Sequence, residues 1–310
     1  MKVKVNQSNK IEMEYNKAPK TIEEQIELLK KRGLIVGDED ELERYLKNIS
    51  YYHLSIYFKH FQKKDDTFIE GKTFEDILNI YVFDQKLRLL LLDVLERIEK
   101  SLKCRIAYEM SINLSDPCWI TDSKYFNDEE KYNERIVKIL EGLRFSKEDC
   151  IKHYYKTYDT PEHPPIWMIV ETLTFGQCVM IFGQLKKENQ RIVADTYGIN
   201  KKFLYNWLYA LSVIRNYCAH HSRLWNREMT IRLSQKHGIY GKLFDNFNGN
   251  RLFNYLLVMQ VVNCKFNPNS KWDERLEKII IKHEINISHM GFPDDWKDRL
   301  NNIREIEEEK

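Results

Sequence analysis

Seven residues of chemically useful type, Arg215, Asn216, His220, His221, Arg223, Trp225 and Asn226, crowd into the string RNYCAHHSRLWN at 215–226. They continue an apolar run of helical spacing, FLYNWLYALSVI. On a helix Asn216 and His220 stand four apart and share a face, with Arg215 about 140° round from His220. One surface then offers an amide, an imidazole and, at its flank, a guanidinium.

Cleavage of an RNA backbone needs such a set. The 2′-hydroxyl loses a proton as it attacks the adjacent phosphorus, the leaving 5′-oxygen gains one, and the crowded phosphate needs its charge stabilised. Histidine titrates near neutrality and can move either proton, an effect worth roughly 10²–10⁴ in rate. Arginine stays charged and offers phosphate a planar fork of donors. Asn216 can orient the phosphate or the imidazole. The expected catalytic set is Arg215, Asn216, His220 and His221, with no metal and no cofactor. His221 points about 100° away from His220 on a continuous helix, so one copy holds one clear acid–base histidine. A homodimer with a composite site across a two-fold axis is therefore expected. The competing reading is a non-catalytic module that binds RNA or a protein, with these residues as ligands or as a buried network and Trp225 in the core.

Other constellations are weaker. Gly71, Lys72 and Thr73 imitate the end of a phosphate-binding loop, but its first glycine is replaced by Asp66. Adjacent His220 and His221 lack a third ligand at metal spacing. His53, His60, His153, His163, His237, His283 and His289 are scattered and read as surface or core residues. Six cysteines without a C-x-x-C pair read as reduced, mostly buried thiols. Arg97, Glu99 and Arg105 lie on one long helix; they either position RNA, with Glu99 orienting Arg215 or His220, or form surface salt pairs. Tyr51, Tyr52, Tyr57, Phe58 and Phe61, mixed with Lys59, Lys63 and Lys64, are either a stacking surface for single-stranded RNA or core.

The elements that must hold these groups are helices. With 11 Gly and 7 Pro in 310 residues, punctuation is too sparse for a many-stranded protein, and an all-α fold follows. Ile77, Ile80, Tyr81, Asp84, Leu87, Leu91, Val94, Ile98, Leu102 and Ile106 advance by three and four along a helix from Thr73 past Ala107. Thr21 and Glu24 form a capping box and Gly33 suits the helix end. Further helices are expected at 38–48, 129–143, 201–232 and 252–262, with a charged helix or frayed tail at 294–310. The segment PIWMIVETLTFGQCVMIFGQL, apolar on most sides, is expected at the centre. One domain is read over 1–310: an N-terminal extension to 70, a core over 71–235 and C-terminal helices over 236–310. Lys and Arg total 49 against 47 Asp and Glu, a net +2, which excludes a global basic field and leaves RNA only a local patch. No apolar run marks a leader or a membrane span, so a cytoplasmic protein is expected.

At these residues the chain resembles the Abi-like family, the D/F type of bacterial abortive-infection proteins, within the wider HEPN superfamily. Its signature, Arg, a polar residue, then His after four to six intervening positions, is met by Arg215, Asn216 and His220, and the longer string is matched through Asn226. TIEEQIELLKKRGL, YLKNISYYHLSIY, ERIEKSLKCRIAYEM and PPIWMIVETLTFGQ resemble further family blocks in order. His53 and Ile56 stand where the family usually has Arg and Gly, which implies a different substrate contact there. The resemblance implies a HEPN-like helical bundle with additional N- and C-terminal helices. It also implies metal-independent RNA cleavage leaving a cyclic phosphate, action as a phage-defence toxin, dimerisation, and a regulatory RNA or antitoxin as partner.

Overall fold

The computed structural model describes residues 17–234, residue 240 and residues 250–309. His237, and the boundary expected between 235 and 236, lie outside the described residues. The helices are α1 (Ile22–Lys31), α2 (Glu39–Ile49), α3 (Tyr51–Phe58), α4 (Phe74–Leu114), α5 (Glu129–Lys131), α6 (Lys138–Gly142), α7 (Asp149–Thr157), α8 (Ile166–Thr172), α9 (Phe175–Gln184), α10 (Lys187–Asp195), α11 (Lys201–Ala219), α12 (Leu252–Cys264), α13 (Trp272–Lys282) and α14 (Trp296–Glu308). Among the described residues no β-strand forms, and the few extended pairings are single bridges such as Ile35 with Thr73. The fold is all-α.

The chain divides into two compact units between Tyr81 and Val82, inside α4. In the first unit Thr21 and Glu24 close the capping box of α1, and Gly33 takes φ 90° just beyond its end. Asp38 caps α2 through the Glu41 amide. Leu29, Leu42, Leu54, Tyr57, Phe58 and Phe74 are fully buried. The aromatic block is therefore core, with Tyr57 edge-on to Tyr81 at 5.5 Å; Tyr52 alone of its five rings lies in the open, 83% exposed.

The second unit is built on the remainder of α4, where Leu87, Leu91, Val94, Ile98, Leu102 and Ile106 are buried in sequence order. The apolar PIWMIVETLTFGQCVMIFGQL forms two helices, because Thr174 and Gln177 form a second capping box that starts α9 afresh. Ile166, Ile169, Phe175, Cys178, Ile181 and Phe182 of this segment are buried, while Trp167 on α8 is 51% exposed, and α12 is buried at every position. One sequence expectation is corrected: α11 stops at Ala219 instead of running to 232.

The 129–143 region also departs from a plain helix, since a π-helical turn at Tyr132–Val137 separates α5 from α6. The 294–310 segment is a helix, not a frayed tail, through Glu308. It docks on α12 through Lys265–Glu307 and a Gln260 amide bond to the Leu300 carbonyl at 3.3 Å.

Candidate functional site

The end of α11 is set by its own backbone. His220 occupies the cap, His221 takes the left-handed conformation (φ 56°), and the Ser222 and His221 amides donate to the Tyr217 and Cys218 carbonyls at 2.9 and 3.2 Å. These two bonds make a Schellman closure with histidine where glycine is usual. Arg215 and Asn216 are thus helical, His220 stands at the terminus, and His221 is turned off the helix. Asn216 and His220 still share a face, because the His220 amide donates to the Asn216 carbonyl at 2.9 Å. Both imidazoles and the Asn216 side chain are exposed. Among the described residues neither imidazole has a hydrogen-bond partner.

What draws the chain out of the helix is Asp84 on α4. Its carboxylate, fully buried, accepts from the Leu224 amide at 3.1 Å and the Trp225 amide at 2.7 Å, and it meets the Arg88 guanidinium at 2.5 Å. A carboxylate that binds two successive amides supplies the bonds that a continuing helix would have made. Leu224 and Trp225 are pulled into the core, and the Trp225 ring lies edge-on to His289 at 5.9 Å. Asn226, also left-handed (φ 49°), accepts from Arg251 at 3.2 Å. Trp225 and Asn226 therefore anchor the segment.

Arg215 is half-buried and held. Its guanidinium meets Glu99 at 3.4 Å and donates to the Asn216 side-chain oxygen at 3.3 Å. Glu99, which is 9% exposed, also meets Lys103 at 3.1 Å. Of the two sequence readings of Glu99, it contacts Arg215. The other helix candidates are elsewhere: Arg97 faces solvent beside Asp93 at 3.6 Å, while Arg105 donates to the Thr196 and Lys265 carbonyls and stacks on Tyr197 at 4.0 Å. Arg223 is half-buried and its carbonyl accepts from Arg227 at 3.0 Å.

Sequence reasoning missed Asp84, Arg88, Lys103 and Arg251. The signal for the first two was present: a carboxylate within an apolar helical stripe, followed four residues later by a cation. Among the described residues no three His, Cys, Asp or Glu side chains converge in a metal-binding group. Three cysteines are buried, and burial pushes the Cys218 and Cys178 thiols up to about 12 and the Cys264 thiol to about 11. No described helix is long and apolar enough to cross a membrane.

Fold and site together define an all-α protein that presents arginine, asparagine and histidine at one helix end. A family model described as Abi-like protein matches residues 44–226, more than half of the chain, from α2 through the last residue of the motif. The protein belongs to the Abi-like family, which associates it with abortive infection. No curated protein and no solved structure matches the chain.

Proposed function

We propose that this protein is an endoribonuclease of the HEPN superfamily that acts in the cytoplasm as an abortive-infection toxin. The observation that carries the reading is the helix end itself: Arg215 fixed by Glu99, next to Asn216 and an exposed His220. A guanidinium held at two points has little rotamer freedom left to lose on meeting phosphate. In the proposed reaction a histidine removes the 2′-hydroxyl proton, the 2′-oxygen bonds to phosphorus, and the P–O5′ bond breaks. A histidinium then protonates the departing 5′-oxygen, leaving a 2′,3′-cyclic phosphate and a 5′-hydroxyl. Arg215 stabilises the phosphorane charge.

His220 in one copy can serve one of the two proton transfers. Because the α11 terminus turns His221 aside, a second copy is the natural source of the other histidine. A homodimer whose two helix ends face each other completes the site. A regulatory RNA or antitoxin fits the same surface as a brake. The alternative, a non-catalytic RNA-binding or protein-interaction module, draws on one observation: among the described residues no carboxylate orients either imidazole.

Purified protein incubated with RNA in excess chelator separates the readings. Cyclic-phosphate ends made by the wild type and absent with His220→Ala and Arg215→Ala support cleavage. Cutting that persists in both variants, or that requires added metal, rejects it.

A further inference from the structure

Two clefts outside the helix end adjoin on α4. One, of about 570 Å³, is lined by Arg97, Lys100, Cys104 and Arg105; the other, of about 650 Å³, by Lys100, Lys103, Cys104, Tyr108 and Trp167. They share Lys100 and Cys104 and so form one groove, which follows a single stripe of α4 from Arg97 to Ile112 over about 22 Å.

The lining combines charge with exposed rings. Tyr108 is 62% and Trp167 51% exposed, unusual values for large aromatics that nothing among the described residues covers. Four of the five charged liners are cations, Glu171 being the carboxylate. Lys103 and Arg105 are fixed by Glu99 and by backbone carbonyls. Among the described residues Arg97 and Lys100 are bound to Asp93 and Glu96 across solvent-exposed pairs, which yield readily to a phosphate. The groove is joined to the helix end by one carboxylate, since Glu99 contacts both Lys103 in the groove wall and Arg215.

We infer that this groove binds single-stranded RNA, with bases stacked on Tyr108 and Trp167 and phosphates on Arg97 and Lys100, and that it leads the strand to Arg215. Rings able to stack with any base, beside cations that track a backbone, are the elements of sequence-tolerant single-strand binding. A double helix, whose bases are already stacked, has nothing to give the rings. The inference names the substrate class of the cleavage proposed above and rests on that reading.

Cys104 supplies the probe. It sits where the clefts meet and is exposed, whereas the other five thiols are buried or half-buried. The experiment uses full-length His220→Ala protein, so that RNA binds without turnover, and measures N-ethylmaleimide labelling of Cys104 by mass spectrometry alongside binding of a fluorescent single-stranded oligoribonucleotide. The single strand should slow Cys104 labelling and its duplex should not. Trp167→Ala with Tyr108→Ala should weaken binding by about tenfold or more per ring, while circular dichroism stays unchanged because both rings lie at the surface. Unaltered labelling and affinity, equal protection by duplex, or concentration-dependent protection without RNA, the mark of a second copy covering the groove, would each overturn it. Cleavage is scored separately on the wild-type protein. Protection without cleavage keeps the groove and rejects the nuclease; cleavage with an unprotected Cys104 does the reverse.

Discussion

Replacing Asp84 tests most directly how the site is held. The carboxylate is fully buried, Arg88 beside it is 4% exposed, and two amides of the 220–226 segment donate to it. Removing one member of a buried ion pair leaves the other charge in a medium that solvates it poorly, at a cost of about 3–5 kcal/mol. Each buried amide left without an acceptor adds about 1–3 kcal/mol, less whatever relaxation recovers. Against a total stability of about 5–15 kcal/mol, Asp84→Ala should leave the protein marginal. Asp84→Asn keeps an acceptor oxygen for the amides but loses the charge, so most of its cost should come from Arg88. Adding Arg88→Met to Asp84→Asn should then recover much of the loss, since replacing both charges by neutral groups is tolerated where removing one is not. Urea denaturation gives the free energies. Hydrogen exchange at the Leu224 and Trp225 amides, which should accelerate in Asp84→Asn beyond the global change, gives the local effect. An Asp84→Asn cost below about 1 kcal/mol, or an Arg88→Met change that further destabilises the Asn variant, would refute the role assigned to the pair.

Three further outcomes are expected. His220→Ala should lower cleavage by roughly 10²–10⁴, and because the imidazole is exposed the urea midpoint should stay put; an inactive protein with a collapsed midpoint would mean a structural histidine. His221→Gly should raise stability by about 1 kcal/mol by relieving the left-handed residue that ends α11, and it should reduce cleavage less than His220→Ala does. Burial, then Lys282 and Lys86, lowers the His283 imidazole below its usual value near 6.5. The unfolded chain therefore binds a proton that the folded one refuses as pH drops through that value, so stability should fall on acidification below about 6.5. His283→Gln should flatten the slope in a pH series of urea melts.

Much of the local order was legible in the residues. The capping box of Thr21 and Glu24, the short helix that begins beside Asp38 and the long stripe of α4 are short-range patterns whose physics acts within a few residues, and each formed where its pattern stood. Asn216 and His220 were legible as a pair for the same reason, four-residue spacing on one helix face, with Arg215 at its flank. Illegible were the points where one local signal masks another or a distant residue overrides local spacing. The break in the apolar run through 166–184 is local, a Thr174–Gln177 box of the same form as that of Thr21 and Glu24, but the continuous hydrophobicity around it masks it; the break lets Phe175, Cys178 and Phe182 turn inward. Arg105 reads as a nucleic-acid contact until the carbonyls of Thr196 and Lys265 take its donors.

By itself, then, the sequence determined that the chain is helical, where about half of its helices start, and which residues are candidates for the chemistry. Only the tertiary structure decided where α11 ends. Asp84 lies 140 residues from Leu224 in the chain, and no local rule couples them; the buried carboxylate competes with helix continuation because it offers the Leu224 and Trp225 amides a stronger, charged acceptor in a place water cannot reach. That competition turns His221 off the helix, buries Trp225 and leaves His220 exposed at the helix end.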